Sequence, residues 1–452
     1  MSRRIPLLSA AGVLACLSLF FYVERGGGRS VDTVRSLKAA PAMSAREEGE
    51  HREEQIRFFD VRASRDSTSA LDRAWLAKLY LQRSRATGGY DDVLRAERYA
   101  RESLSLLDEH NTGSRYVLAV ALLDQHRFVE AHAAARDLVE REPEPPANRA
   151  LLAKTQMELG RYDDARVTFR SLEPARYDLA VMPDLARWEE LTGHGDQARE
   201  LLERARDEAL RRTGLTPGQR LVFHFLLADF ELRAGRFGAA ERELRTALAE
   251  VPGDARLLSE MARLEALRHD WRAAIRYGEA AIAARLDPAT LGVMSDAYAA
   301  LGDSAGAAEY AEAMQTAVRS QQQGFHREWG LFLLDHGGNA EDVRSQAEQD
   351  LRSRKDIYGY DLLAWALHKQ GRNAEARRAM QRALRLGTDD ALLFYHAGMI
   401  DHALGADERA ARELRRALEL NPRFHPTHPA TARKVLDSLE GSVWSRLPFG
   451  GA

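Results

Sequence analysis

The sequence predicts an all-α fold, an α-solenoid of about ten helical hairpins in 452 residues. Three observations predict it. A short turn motif recurs along the chain at a near-constant spacing. Small residues recur at fixed distances on either side of that motif. No strand-like segment is evident anywhere.

The bulk numbers set the frame. Hydrophobic residues make up 45% and charged residues 29%, a normal composition for a water-exposed body. The net charge is −3, with 65 basic and 68 acidic residues interspersed. No basic block or stripe stands out, which argues against a nucleic-acid partner. Only six residues are lysine, so nearly all positive charge is arginine. The single cysteine, Cys16, lies in an N-terminal apolar run, so the body has no disulfide and no thiolate metal site.

The chain begins MSRRIPLLSAAGVLACLSLFFYVERGGG. After Arg3 and Arg4 come 19 uncharged, mostly apolar residues from Ile5 to Val23. That is close to the roughly 20 residues a membrane-crossing helix needs. Glu24 and Arg25 end the run abruptly, with no clear cleavage site. One reading of residues 1–25 is an uncleaved signal anchor, with Ile5, Leu14, Leu17, Phe20 and Phe21 in the bilayer. A second uses Cys16: Gly12-Val13-Leu14-Ala15-Cys16 resembles a bacterial lipobox, in which the cysteine is lipidated. Ser2-Arg3-Arg4 resembles a twin-arginine signal more faintly, since Pro6 breaks that pattern. All three export the body, so the expected location is the bacterial cell envelope, periplasmic and held to a membrane.

Residues 26–66 read as a linker. Its first part, through residue 52, is rich in Gly, Ser, Arg and Glu without a sustained period. Residues 53–65 fit a short capping helix with Ile56 and Phe59 turned inward.

The solenoid is expected over 67–424. Its motif is a Gly or turn residue, an aromatic two positions on, and an Ala three after that. Gly160-Arg161-Tyr162-Asp163-Asp164-Ala165 and Gly235-Arg236-Phe237-Gly238-Ala239-Ala240 are the clearest cases. His126 and His269 head two further copies, and weaker ones begin at Gly193, Gly302, Gly338, Gly371 and Gly405. Successive anchors are 34, 33, 42, 34, 33, 36, 33 and 34 residues apart. Seven residues before most anchors the residue is small, as at Ala119, Ala153, Ala364 and Gly398. Small residues on both facing helices let their backbones approach closely. Prolines such as Pro143, Pro252, Pro288 and Pro422 often close a unit. An earlier unit spans Trp75 to Leu107 if Thr87–Val93 is a longer loop. The unit at Gly338 lacks the aromatic and the Ala, so its register can slip by one. Residues 425–441 read as a solvated capping helix and 442–452 as a loose tail.

This pattern resembles the tetratricopeptide repeat family over roughly residues 70–422. The resemblance implies a right-handed solenoid whose first helices line a concave face, and binding of protein or extended peptide there.

Positions 6, 10 and 13 before each anchor should face that groove. In the N-terminal half they are mixed: Val120, Lys154, Arg187, Asp229 and Arg263. In the last three units they turn aromatic and apolar: Phe325 and Phe332, then Tyr358, Asp361 and Trp365, then Tyr395 and Met399, with His368 and His402 nearby. These nine residues are the expected partner-binding set, because aromatic and Met side chains supply large contact area. The rival reading packs them between neighbouring first helices. No catalytic motif or cofactor-binding motif appears, so no enzyme activity and no cofactor are expected. The functional expectation is a scaffold, an adaptor or assembly factor for an envelope complex. The alternative is an accessory role in divalent-metal handling through His368 and His402.

Overall fold

The computed structural model describes residues 44–320 and 327–446. The residues assigned to the membrane anchor (Ile5, Leu14, Leu17, Phe20 and Phe21), the lipidation candidate Cys16, and Phe325 lie outside that range. Among the described residues, no helix is long and apolar enough to cross a membrane.

The described chain is helical throughout, without a strand. Helix α1 (Ala45–Arg65) is followed by ten antiparallel hairpins. They are α2 (Ala70–Thr87) with α3 (Tyr90–Leu106), α4 (Thr112–Asp124) with α5 (Phe128–Arg141), and α6 (Pro146–Glu158) with α7 (Tyr162–Arg170). Next come α8 (Met182–Leu191) with α9 (Gly195–Arg211), α10 (Pro217–Arg233) with α11 (Phe237–Glu250), and α12 (Ala255–Leu267) with α13 (Trp271–Ala284). The last four are α14 (Pro288–Ala300) with α15 (Ser304–Ser320), α16 (Arg327–Asp335) with α17 (Ala340–Asp350), α18 (Ile357–Lys369) with α19 (Asn373–Ala383), and α20 (Ala391–Ala403) with α21 (Asp407–Leu420). Helix α22 (His428–Arg446) closes the stack.

Local chemistry sets these boundaries. Asp254, Asp287, Asp356 and Asp390 cap the first helices α12, α14, α18 and α20, their carboxylates accepting from backbone N–H groups. Pro288 starts α14, where its missing N–H costs nothing. At the hairpin turns the anchor residue is left-handed: Gly160 has φ 69° and Gly371 φ 75°, and His126 and His269 adopt the same region at 60° and 63°. Two details depart from the expected pattern. Gly88 is also left-handed, so Gly88-Gly89-Tyr90 is a copy of the turn motif with Val93 in place of the Ala, and the first unit needs no longer loop. In the eighth hairpin the left-handed residue is Gly337, one before the expected anchor, while Val343 keeps its buried place. That turn carries one extra residue.

Helix α1 is longer than the short cap expected. Ser44 and Glu47 form a capping box that starts it inside the Glu-rich stretch read as linker. Ile56 is buried, and Phe59 stacks on Trp75 at 5.5 Å.

The hairpins form two layers. First helices of adjacent hairpins mostly touch each other and are buried nearly all round, as in α4. Second helices bury one stripe only; α5 buries Phe128, Ala131, Ala135 and Leu138. First helices therefore line the inside. Close approach needs small residues: a Cβ on Gly398 would sit 2.7 Å from Leu414 of the facing helix.

The solenoid also touches itself. Segments 354–357, 385–388 and 421–426 lie against the turns of the third to sixth hairpins. Ile357 N donates to the Tyr162 hydroxyl at 2.9 Å, Thr388 Oγ1 to the Leu191 carbonyl at 2.5 Å, and Lys355 N to the Leu159 carbonyl at 3.1 Å. Asn421 Nδ2 donates to the carbonyls of Leu232 and Arg233, and His269 Nε2 to that of Pro426 at 2.8 Å. The Tyr162–Ile357 and Leu191–Thr388 pairs are 195 and 197 residues apart. One superhelical turn thus takes about six hairpins, and the second turn rests on the first. A cavity of about 510 Å³ lies at a further such contact, where α1 meets the start of α10 and the 251–256 loop.

A glycine comparison isolates this contact. A Cβ on Gly371 meets nothing within 4 Å, so Gly371→Ala should cost only the left-handed backbone term, about 1–2 kcal/mol. A Cβ on Gly160 would sit 2.2 Å from the Lys355 carbonyl oxygen, and Gly160→Ala should lower the urea midpoint clearly further.

Candidate functional site

The inner face carries a polar spine. It starts on α12, where Glu260 accepts from Arg263 at 3.3 Å. Arg263 also donates to Asp229 of α10 at 3.0 Å, and Asp229 pairs with Arg233 of its own helix. Arg233 forks onto Glu190 of α8 at 2.9 and 3.0 Å, and Glu190 accepts from Arg187 at 2.7 Å. The guanidinium carbon of Arg187 lies 5.4 Å from the Tyr358 ring, on α18 in the next superhelical turn. Arg327 of α16 covers the same ring at 4.9 Å and donates to Asp361 at 2.6 Å. Asp361 also takes His396 Nδ1 at 2.7 Å.

Burial opposes ionisation of Glu190 and Asp361, but the facing cations hold both carboxyls below their usual range. Glu260 sits at the end of the chain, and burial raises it. The two sides of the spine are not equally covered. The Arg263 side chain is 38% exposed, whereas that of its partner Asp229 is 16%. Arg233 is likewise more open than Glu190, and Arg327 more open than Asp361. The carboxylates sit behind and the guanidinium groups face the lumen.

The aromatic set is placed differently from the expected groove. Trp365 is 2% exposed, Asp361 0% and Tyr395 3%. Trp365 donates Nε1–H to Asp335 at 3.0 Å and stacks on His396 and His368 at 4.1 and 4.9 Å. Tyr395 stacks on His428 at 4.5 Å. Met399 packs against the same cluster, and Phe332 stacks on Trp329 and His336. The physical reason is the close approach of neighbouring first helices: the position shared between them becomes interior, and a large ring there fills the seam. Of this set Tyr358 faces the spine. His368 is half-buried, with Nδ1 on Asn373, and His402 Nδ1 is buried without a protein partner.

The structure does not bring His368 and His402 into one ligand group. Among the described residues, the group whose donor atoms approach closely enough to share an ion is Asp335, His425 and His428. Burial lowers the pKa of both histidines.

The N-terminal groove positions divide. Arg187 and Arg263 line the lumen and Asp229 stands behind them in the spine, whereas Val120 is core and Lys154 is buried with Nζ 3.6 Å from Asp184. The spine was missed because its members look mixed one unit at a time. The available signal was alternation: Arg187, Asp229 and Arg263 hold one repeat position, each with an opposite charge three or four residues away on its own helix.

With this geometry in place, the comparisons with known proteins can be set beside it. Models of the tetratricopeptide repeat match residues 122–182 and 357–386. Those spans hold the anchors Gly160 and Gly371. Those two segments are tetratricopeptide repeats. No curated protein sequence matches the chain. Among solved structures it is similar to the APC/C hetero-tetramer Cut9–Hcn1, with 12% identity over 87% of this chain and 95% of that one, at a TM-score of 0.34. It is also similar to PilW, a widely conserved type IV pilus biogenesis factor, with 19% identity over 50% of this chain and 99% of that one, at a TM-score of 0.38. At those scores neither overlay bears on the partner of this chain.

Two outcomes follow from the placements. Trp365→Ala should cost about 3–5 kcal/mol of stability in denaturant unfolding, the range for emptying a buried indole site; a loss near zero would return Trp365 to a surface role. The second concerns pH. Burial pushes both Asp124 and Asp184 up to about 6, against the pull of Lys154 on both. The folded chain then keeps protons that the unfolded chain releases near pH 4, so this cluster's contribution to stability falls as pH rises from about 4 to above 6. Relative to Asp184→Asn, the wild type should lose stability over that window in a pH series of unfolding curves.

Proposed function

We propose that this repeat protein is a membrane-tethered, extracytoplasmic scaffold that binds a protein or extended peptide on its inner face. In this reading it serves as an adaptor or assembly factor for an envelope complex and has no catalytic role. The tether and the envelope location rest on the apolar run from Ile5 to Val23 with Arg3 and Arg4 before it. The scaffold role rests on the repeats.

The observation that carries the inner-face assignment is the orientation of the spine. Arginines face the lumen and their carboxylates stand behind them. A partner segment rich in Asp or Glu, threaded along this face, exchanges a bound water shell for guanidinium contacts without uncovering a buried charge. Tyr358, held between Arg187 and Arg327, adds a flat contact beside them.

A photo-crosslinker scan in intact cells tests this. Probes replacing Arg263 and Tyr358, on the inner face, should capture a discrete envelope protein. Probes replacing Val167 and Asp163, both exposed on α7, should not. Crosslinks confined to the α7 positions would overturn the assignment, and removal of residues 1–25 should release the body from the membrane fraction.

A further inference from the structure

We propose that Asp335, His425 and His428 form a binding site for a first-row divalent transition-metal ion, which fastens the C-terminal helix to the eighth hairpin. One donor atom of each residue lies within 4.8 Å of the other two. Asp335 ends α16, while His425 and His428 lie in the loop before α22 and at its first position. The site therefore joins segments that the chain separates by two complete hairpins.

The donor set fits such an ion. Two imidazoles and one carboxylate match zinc and its neighbours rather than magnesium or calcium, which favour all-oxygen cages. The two histidine rings stack face to face at 3.8 Å with an interplanar angle of 13°. Protonating both would set two cations at that distance, so the pair is suited to act as neutral ligands. Asp335 supplies a carboxylate, with Oδ2 3.2 Å from His428 Nε2.

Neighbours already orient the donors. The Trp365 indole N–H occupies Asp335 Oδ1 at 3.0 Å, leaving Oδ2 for His428 at 3.2 Å or for an ion. The Thr427 N–H donates to His425 Nδ1 at 3.3 Å and the Thr427 hydroxyl lies 3.2 Å from the same atom, so the loop fixes this ring with Nδ1 as an acceptor, its lone pair unprotonated. His396, completely buried, has an Nε2 without a protein partner, and its ring centre is 6.4 Å from that of His428. Lys369, whose Nζ is 3.7 Å from Asp335 Oδ1, is the one competing cation that the described structure sets against this carboxylate, and it is partly exposed and able to swing out. Binding must draw the donors together, since ligands about 2.0–2.1 Å from a tetrahedral zinc are roughly 3.4 Å apart. Three protein ligands leave one position for water.

The rival account is that His428 and Asp335 are a plain hydrogen-bonded pair with His425 stacked on it. Titration calorimetry of the full, untagged chain in detergent, carrying Cys16→Ser, distinguishes the two. Zinc should bind one ion per chain and raise the thermal midpoint, while magnesium should do neither. His425→Ala and Asp335→Asn should each weaken zinc about tenfold or more and remove the thermal shift. Should His425→Ala disturb the circular dichroism spectrum, His425→Gln replaces it as the ligand-deficient variant. No zinc heat in the wild type, or equal zinc affinity in wild type and variants, overturns the proposal. Neither result depends on whether the inner face binds a peptide.

Discussion

The carbonyl groups that end the first helices are the constraint on which the rest depends. Any helix leaves its last carbonyls without intrahelical partners. Here the ends of α6, α8 and α10 point their carbonyls at the edge of the solenoid, and the following superhelical turn supplies the donors. Lys355 N serves Leu159, Thr388 Oγ1 serves Leu191, and Asn421 Nδ2 serves Leu232 and Arg233. The left-handed glycine at each turn removes the Cβ that would hold the two backbones apart. Repeat stacking alone makes an open coil. These bonds set its pitch to the thickness of one layer.

A closed pitch changes what an inner face can do. In an open solenoid the concave surface is a broad groove, and large aromatics on it are free to meet a partner. Here first helices from two turns face one another, and Arg187 of the fourth hairpin reaches Tyr358 of the ninth. The lumen is lined by paired charges because long side chains from opposite walls meet there and must satisfy one another. Their asymmetric exposure turns the arginines toward the lumen, and the proposal of an acidic, extended occupant rests on that.

Much of the fold was legible in the sequence because a repeat states its rule many times. Nine anchors near one period establish the hairpins, and the Ala columns identify the facing surfaces. What escaped came from single occurrences or from distance. Gly88-Gly89-Tyr90 keeps the turn glycine and the aromatic, but with Val93 where the rule has Ala it was read as a longer loop. Ser44 with Glu47 is a four-residue capping signal inside a stretch whose composition reads as linker. The aromatic positions of the last units stood out in the sequence, yet helical spacing could not tell a seam between first helices from a free face. Trp365 and Tyr395 fill that seam. The spine and the Asp335–His425–His428 group join residues of different hairpins, and nothing short of the superhelical pitch brings them together.

The pitch itself is the claim to test. The body contains no cysteine, so in a Cys16→Ser background paired spin labels can be set at Asp196, beside the turn of the fourth hairpin, and at Asp389, beyond the ninth. Electron–electron distance measurement should give a single narrow, short distance, as Gly193 and Gly387 lie in backbone contact across the two turns. A long or broad distribution would mean that the turns stand apart, and the closed lumen, with the spine that crosses it, would fall with them.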